Sequence, residues 1–136
     1  MTPEKLVELA QEAMTKAYCP YSGYSVGAAL LCEDGTVYQG CNIENASFTP
    51  TICAERNAIF KAVYDGEREF DRIAVIGGLE GTDENAPCAP CGVCRQVMRE
   101  FCNDDFEIIV AKTTEEYKVY TLPELLPEGF GGGNLV

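Results

Sequence analysis

Apolar residues recur along the chain at two spacings, and the switches between them mark the elements. Leu6, Leu9, Ala10, Ala13, Met14 and Ala17 fall three and four apart, the stripe of one helix face. Thr2 as N-cap and Pro3 in the first helical position supply its start, and Pro20 and Gly23 its stop. From Tyr24 the period becomes two. Tyr24, Val26, Ala28, Leu30 and Cys32 share one face of a strand, and a turn around Asp34-Gly35 leads into a second strand from Thr36 to about Ile43. Pro50 and Thr51 introduce a helix from about Ile52 to Tyr64, with Ile52, Ile59, Phe60 and Val63 expected to face inward. Arg72 to Ile76 reads as a short buried strand. Gly92 to Phe101 reads as a helix with Val93, Val97, Met98 and Phe101 on its apolar face. Phe106 to Ala111 and Tyr117 to Thr121 complete the strands, and Leu122 to Leu126 forms a short last helix.

An opening hairpin followed by alternating helices and strands predicts an α/β layered fold around a mixed sheet of about five strands. The expected organisation is a single domain over residues 1–136, with a Gly-rich tail from about residue 129. Two central helices that each connect strands bring their N-termini to one end of the sheet.

Composition narrows the function. With 10 Lys and Arg against 22 Asp and Glu, the net charge is −12, and the few basic residues are scattered, which argues against a nucleic-acid partner. No apolar run approaches the roughly 20 residues of a membrane span, so no membrane partner is expected. The N-terminal stretch has neither a basic segment nor an unbroken apolar one, and a cytoplasmic location is expected. There are no His residues and eight Cys. The first count removes Ser-His and Cys-His catalysis and every His-ligated metal. The second, in a reducing compartment, favours metal over disulfides.

Two cysteine clusters stand at helix starts. CAER places Cys53, Ala54, Glu55 and Arg56 together, and PCAPCGVCRQ carries Cys88, Cys91 and Cys94 at equal spacing. Cys91 and Cys94 are the favoured metal pair, because Gly92 lets the backbone turn tightly and Cys94 then lies in the first helical turn. Cys88, in a Pro-flanked loop, reads as a spectator. A helix N-terminus favours the thiolate that ligates metal. Three thiolates leave tetrahedral Zn²⁺ one open position, whereas a fourth protein ligand such as Cys88 would make a closed structural site. Glu55 lies about 200° around the helix from Cys53, poorly placed as a neighbouring ligand but within reach of a water at the metal.

Cys53-Ala54-Glu55 with Pro90-Cys91-Gly92-Val93-Cys94 is similar to the zinc deaminase signature in its thiolate form. Together with YSGYSVGAAL (Tyr21 to Leu30) and GCNIENASF (Gly40 to Phe48), these motifs make nearly the whole chain resemble the small homotetrameric cytidine deaminases with three Cys ligands. The resemblance implies a three-layer α/β/α sandwich and one Zn²⁺ per subunit on Cys53, Cys91 and Cys94. It implies hydrolytic deamination of cytidine and deoxycytidine at C4, with Glu55 carrying protons among water, ring N3 and departing ammonia. It also implies sugar binding by Asn42 and Glu44, base contact by Tyr24 and Ala54, and an aromatic, Phe130, lent to a neighbouring subunit's pocket. Phe48 stands where the family commonly has Tyr. Because three thiolates leave the zinc site net negative, Arg56 is expected to hydrogen-bond the ligand sulfurs and draw charge from them. A carboxylate at Glu44 suits a hydroxyl donor and repels phosphate, so the expected substrate is a free nucleoside. Two other readings stay open from the residues: a zinc deaminase of another aminated nucleoside or base, and a non-catalytic zinc-stabilised interaction domain.

Overall fold

The computed structural model describes residues 1–82 and 84–135. Its elements are α1 (Pro3–Met14), β1 (Tyr24–Cys32), β2 (Val37–Cys41), α2 (Ala54–Tyr64), β3 (Phe70–Leu79), β4 (Asn85–Ala86), α3 (Gly92–Phe101), β5 (Glu107–Ala111), β6 (Tyr117–Thr121) and α4 (Leu122–Leu125). The strands form one sheet in the order β2-β1-β3-β5-β6, with β4 paired to β3. Among the described residues only the β3–β5 strand pair runs parallel, so the sheet is mixed, as the pattern predicts. The two-residue β4, too short for any periodicity, has no counterpart in the sequence reading. Of the acidic segment around Asp83 and Glu84, Asp83 lies outside the described residues.

Helices cover both faces of the sheet. On one face, Leu6, Val7 and Ala10 of α1 pack on Ala29, Leu31, Ala74, Ile76 and Ile109. On the other, Ala58, Ile59 and Ala62 of α2 and Met98 of α3 pack on Ala28, Leu30, Ile73 and Val75. This is the three-layer α/β/α arrangement. β1 is therefore buried on both sides along most of its length, not on one side as its alternation suggested.

Two helix faces differ from expectation. In α2 the inward positions are Ala54, Glu55, Ala58, Ile59 and Ala62, while Phe60 is exposed. In α3 the inward position of the first turn is Cys94, and Val93 faces outward. Hydropathy favoured the larger side chains, but α2 meets β2 through its small residues, and the inward place in the first turn of α3 goes to Cys94 of the sulfur group.

Gly40 on β2 shows how close. A Cβ on it would meet the carbonyl oxygen of Ala54 and come within 2.6 Å of the Ala58 nitrogen, both backbone atoms of α2. Gly27 on β1 makes the same kind of approach to α1, at the carbonyl of Ala10 and 2.6 Å from the Met14 nitrogen. Backbone cannot swing aside as a side chain can. Gly40→Ala is expected to destabilise the protein by about 2 kcal/mol, the usual scale of overpacking, as read from urea unfolding midpoints.

Candidate metal and nucleoside site

The crossover through α2 and the crossover through α3 end their connecting loops at the same place. Cys53 is the N-cap of α2 and Cys91 the N-cap of α3, and neither uses its side chain to cap the helix. Cysteine is not among the favoured N-cap residues, so these two positions serve something other than helix termination. Their sulfurs lie 3.8 Å apart. Cys94, one turn into α3 and fully buried, joins them, and the three Sγ atoms all fall within 4.8 Å of one another. Tetrahedral zinc with Zn–S bonds of about 2.3 Å needs sulfurs about 3.8 Å apart, so the donor set fits that ion in both chemistry and spacing. Among the described residues the group contains no fourth ligand, and Cys88 lies outside it.

The electrostatics favour a thiolate at Cys53. The Cys94 thiol and the Arg56 guanidinium both donate toward Cys53 and bring its pKa down to about 5. Cys94 moves in the opposite direction, since it gives up its hydrogen bond if it loses its proton. Arg56 Nη2 sits 3.4 Å from both Cys53 Sγ and the Thr51 carbonyl oxygen. Its buried Nε has no hydrogen-bonded partner among the described residues. Arg56 is thus turned onto a ligand sulfur and not out to solvent. Cys88 lines the neighbouring cavity as a neutral thiol, its pKa pushed up to about 11 mainly by burial.

That cavity, about 260 Å³, is bounded by Tyr24 and Val26 from β1, Asn42 and Glu44 beyond β2, Cys53, Ala54 and Glu55 at the start of α2, and Cys88, Ala89 and Cys91 before α3. Glu55 is 3 % exposed, and burial pushes its carboxyl from the usual 4.5 up to about 7. Asn42 is buried and committed at both ends: its Oδ1 accepts from the Val26 amide at 2.9 Å, and its Nδ2 donates to the Tyr24 carbonyl at 2.8 Å. Asn42 and Glu44 both border the cavity, from beyond the end of the second strand. β2 stops at Cys41, and isolated bridges at Ile43 carry the chain on. Phe130 is exposed and is not part of its own chain's cavity; its carbonyl accepts from Gln96. Phe48 is also exposed, beside a smaller hollow that it shares with Glu44.

Sequence reasoning missed two side chains. Ser22 lines the cavity and donates to Glu44. Arg95, in the first turn of α3, donates from Nε to the Pro90 carbonyl at 2.8 Å and from Nη1 to the Leu125 carbonyl at 2.7 Å, tying the cysteine loop to α4. Arg95 directly follows Cys94, which was the only available hint.

The family model for the cytidine and deoxycytidylate deaminase zinc-binding region matches residues 1–110. The chain belongs to that family. It is 47% identical over 135 residues to a cytidine deaminase of Sporosarcina psychrophila, covering 99% of this chain and 96% of the relative. A cytidine deaminase crystal structure from Burkholderia pseudomallei superposes with a TM-score of 0.87 at 45% identity, covering 96% of this chain and 100% of that one. A blasticidin-S deaminase of Bacillus cereus is more distant, 30% identical over 126 residues, or 90% of this chain and 88% of that one.

Glu55 also makes stability depend on pH. Its pKa is higher in the folded state than the ordinary 4.5 it regains on unfolding, so the folded state holds the proton more tightly. Its contribution is intact below about 4.5 and is lost as pH rises through about 7. In the metal-free protein, Glu55→Gln is expected to raise the denaturation midpoint at pH 8 and to leave it nearly unchanged at pH 4. Equal shifts at both pH values would contradict the burial argument.

Proposed function

We propose that this chain is a zinc-dependent cytidine deaminase, converting cytidine and deoxycytidine with water to uridine, deoxyuridine and ammonia. The observation that carries this reading is a three-sulfur group, two of whose members, Cys53 and Cys91, line the same cavity as a buried carboxyl, Glu55. The relatives near 45% identity are named for cytidine, and identity falls to 30% at the blasticidin-S enzyme, which supports cytidine over other aminated nucleosides.

Cys53, Cys91 and Cys94 would hold the zinc. Bound there, zinc supplies a Lewis acid that brings the pKa of water toward neutrality. Glu55, poised near pH 7 by burial, exchanges protons readily in both directions. It takes one proton of the attacking water and delivers it to ring N3 as C4 becomes tetrahedral, then passes the proton of the hydroxyl now on C4 to the departing amine, so that the C–N bond breaks, ammonia leaves and the C4 carbonyl forms. Arg56 offsets the negative charge of the thiolates. Tyr24 and Ala54 wall the base, and Asn42 and Glu44 face the sugar. The anionic Glu44 disfavours a phosphorylated substrate.

The proposal extends to one deaminase domain over residues 1–136, acting in pyrimidine salvage in the cytoplasm. It includes assembly as a homotetramer in which Phe130 enters a neighbouring subunit's cavity. The exposure of Phe130 away from its own cavity supports that assignment. Among the described residues, no helix is long and apolar enough to cross a membrane.

The decisive measurement follows loss of cytidine absorbance in wild type and Glu55→Gln, with zinc content determined in both. Turnover is expected to fall by at least about 100-fold, the low end for general acid–base catalysis, with zinc retained. Retained turnover would remove Glu55 from the mechanism, and a wild type holding zinc without deaminating would favour an interaction domain. Arg56→Ala is expected to weaken zinc binding by about 10- to 100-fold in a chelator competition and to lower turnover. Unchanged values of both would end the charge-compensation argument.

A further inference from the structure

Glu44 does not reach the cavity as a free carboxylate. Its Oε1 accepts two backbone amides, from Tyr21 at 3.0 Å and from Ser22 at 3.1 Å. Its Oε2 accepts the Ser22 hydroxyl. That hydroxyl has its own orientation fixed, because Ser22 Oγ accepts the Tyr24 amide at 3.0 Å. With an acceptor site of Oγ occupied by that N–H, the hydroxyl proton is directed at Glu44. The backbone locks the same junction: Glu44 donates its amide to the Tyr18 carbonyl at 2.8 Å, and Tyr18 donates to the Asn42 carbonyl at 3.0 Å.

A carboxylate offers about four acceptor sites, two on each oxygen. Three of those on Glu44 are taken, both on Oε1 and one on Oε2. Ser22, Tyr24, Asn42 and Glu44 all border the cavity, so the remaining site on Oε2 is the one available to a bound molecule. Asn42, its neighbour, spends one Oδ1 lone pair and one Nδ2–H on β1 and keeps its second N–H, a donor and not an acceptor, toward the cavity.

We propose that Ser22 is a positioning residue for substrate recognition: it holds Glu44 so that one acceptor site, on Oε2, meets one sugar hydroxyl, and the enzyme reads a single hydroxyl and not a vicinal pair. This rests on the reading above that Glu44 meets the sugar. A freely rotating carboxylate could bridge two adjacent hydroxyls with its two oxygens. The tethered one cannot, because its Oε1 is occupied by main chain. Removing the Ser22 hydroxyl leaves Oε2 free to turn away and leaves the Tyr24 amide, at the foot of the base-contacting wall, without its acceptor.

The test measures kcat and KM of the zinc-loaded enzyme for cytidine, 2′-deoxycytidine and 3′-deoxycytidine, in wild type, Ser22→Ala, Ser22→Thr and Glu44→Gln. Wild type is expected to lose kcat/KM by roughly tenfold or more on one deoxy substrate and little on the other, since one charged hydrogen bond is at stake. Ser22→Ala is expected to raise KM about tenfold for the two substrates that carry the read hydroxyl, with kcat within about threefold and no added loss on the substrate that lacks it. Ser22→Thr, which keeps the hydroxyl, is expected to restore KM. Equal losses by wild type on both deoxy substrates would overturn the single-hydroxyl proposal without any variant. A Ser22→Ala loss of the same size on all three substrates would reduce Ser22 to a general structural part. Glu44→Gln separates the two levels. If it discriminates among the substrates and Ser22→Ala does not, only the tether fails; if its losses are equal on all three, the assignment of Glu44 to the sugar fails with it.

Discussion

The packing of α2 against β2 is the constraint on which the site rests. At Gly40 the strand has no side chain, and α2 approaches through Ala54 and Ala58 until backbone nearly touches backbone. That contact sets the height of the helix over the sheet, and with it the position of Cys53 at the helix start and of Glu55 on the inward stripe. A helix held further out would carry Cys53 away from Cys91 and open Glu55 to water. The separation of the sulfurs and the desolvation of the carboxyl are thus set by one interface.

Charge arranges itself around that geometry. Two helix N-termini, neither capped by its N-cap side chain, meet where the sulfurs gather, and Arg56 adds a full positive charge from the first turn of α2. Glu55 receives less help. Burial dominates its environment, which is why its carboxyl titrates near neutrality while Glu44, held by Ser22 and two amides, stays below the usual carboxylate range. Two acids on one cavity are given opposite tendencies: one exchanges its proton, the other remains an anion.

Much of this was legible before any coordinates. Strong periodicity located α1, the β1–β2 hairpin and α3, and the two helix starts pointed to Cys53, Cys91 and Cys94, which the fold brings together, while the Pro-flanked loop marked Cys88 as the one left out. What the pattern concealed has physical reasons. Ala54, Ala58 and Ala62 are small because the sheet is close, and a hydropathy reading preferred Phe60, which points outward. Val93 was displaced from the inward face by Cys94 because the metal-type group, not the apolar core, occupies the first turn of α3. Arg95 and Ser22 act through carbonyls and carboxylates distant in sequence, at Leu125 and Glu44, and no local spacing encodes such pairings.

Arg95 joins the loop that borders the cavity to a helix that does not. One guanidinium grips the carbonyl just before Cys91 and another at the end of α4, thirty residues on. The C-terminal turn is in this sense a brace on the cysteine loop. Loosening α4 would slacken the ion's cradle from behind, so a segment that supplies no ligand bears on how firmly the metal is held.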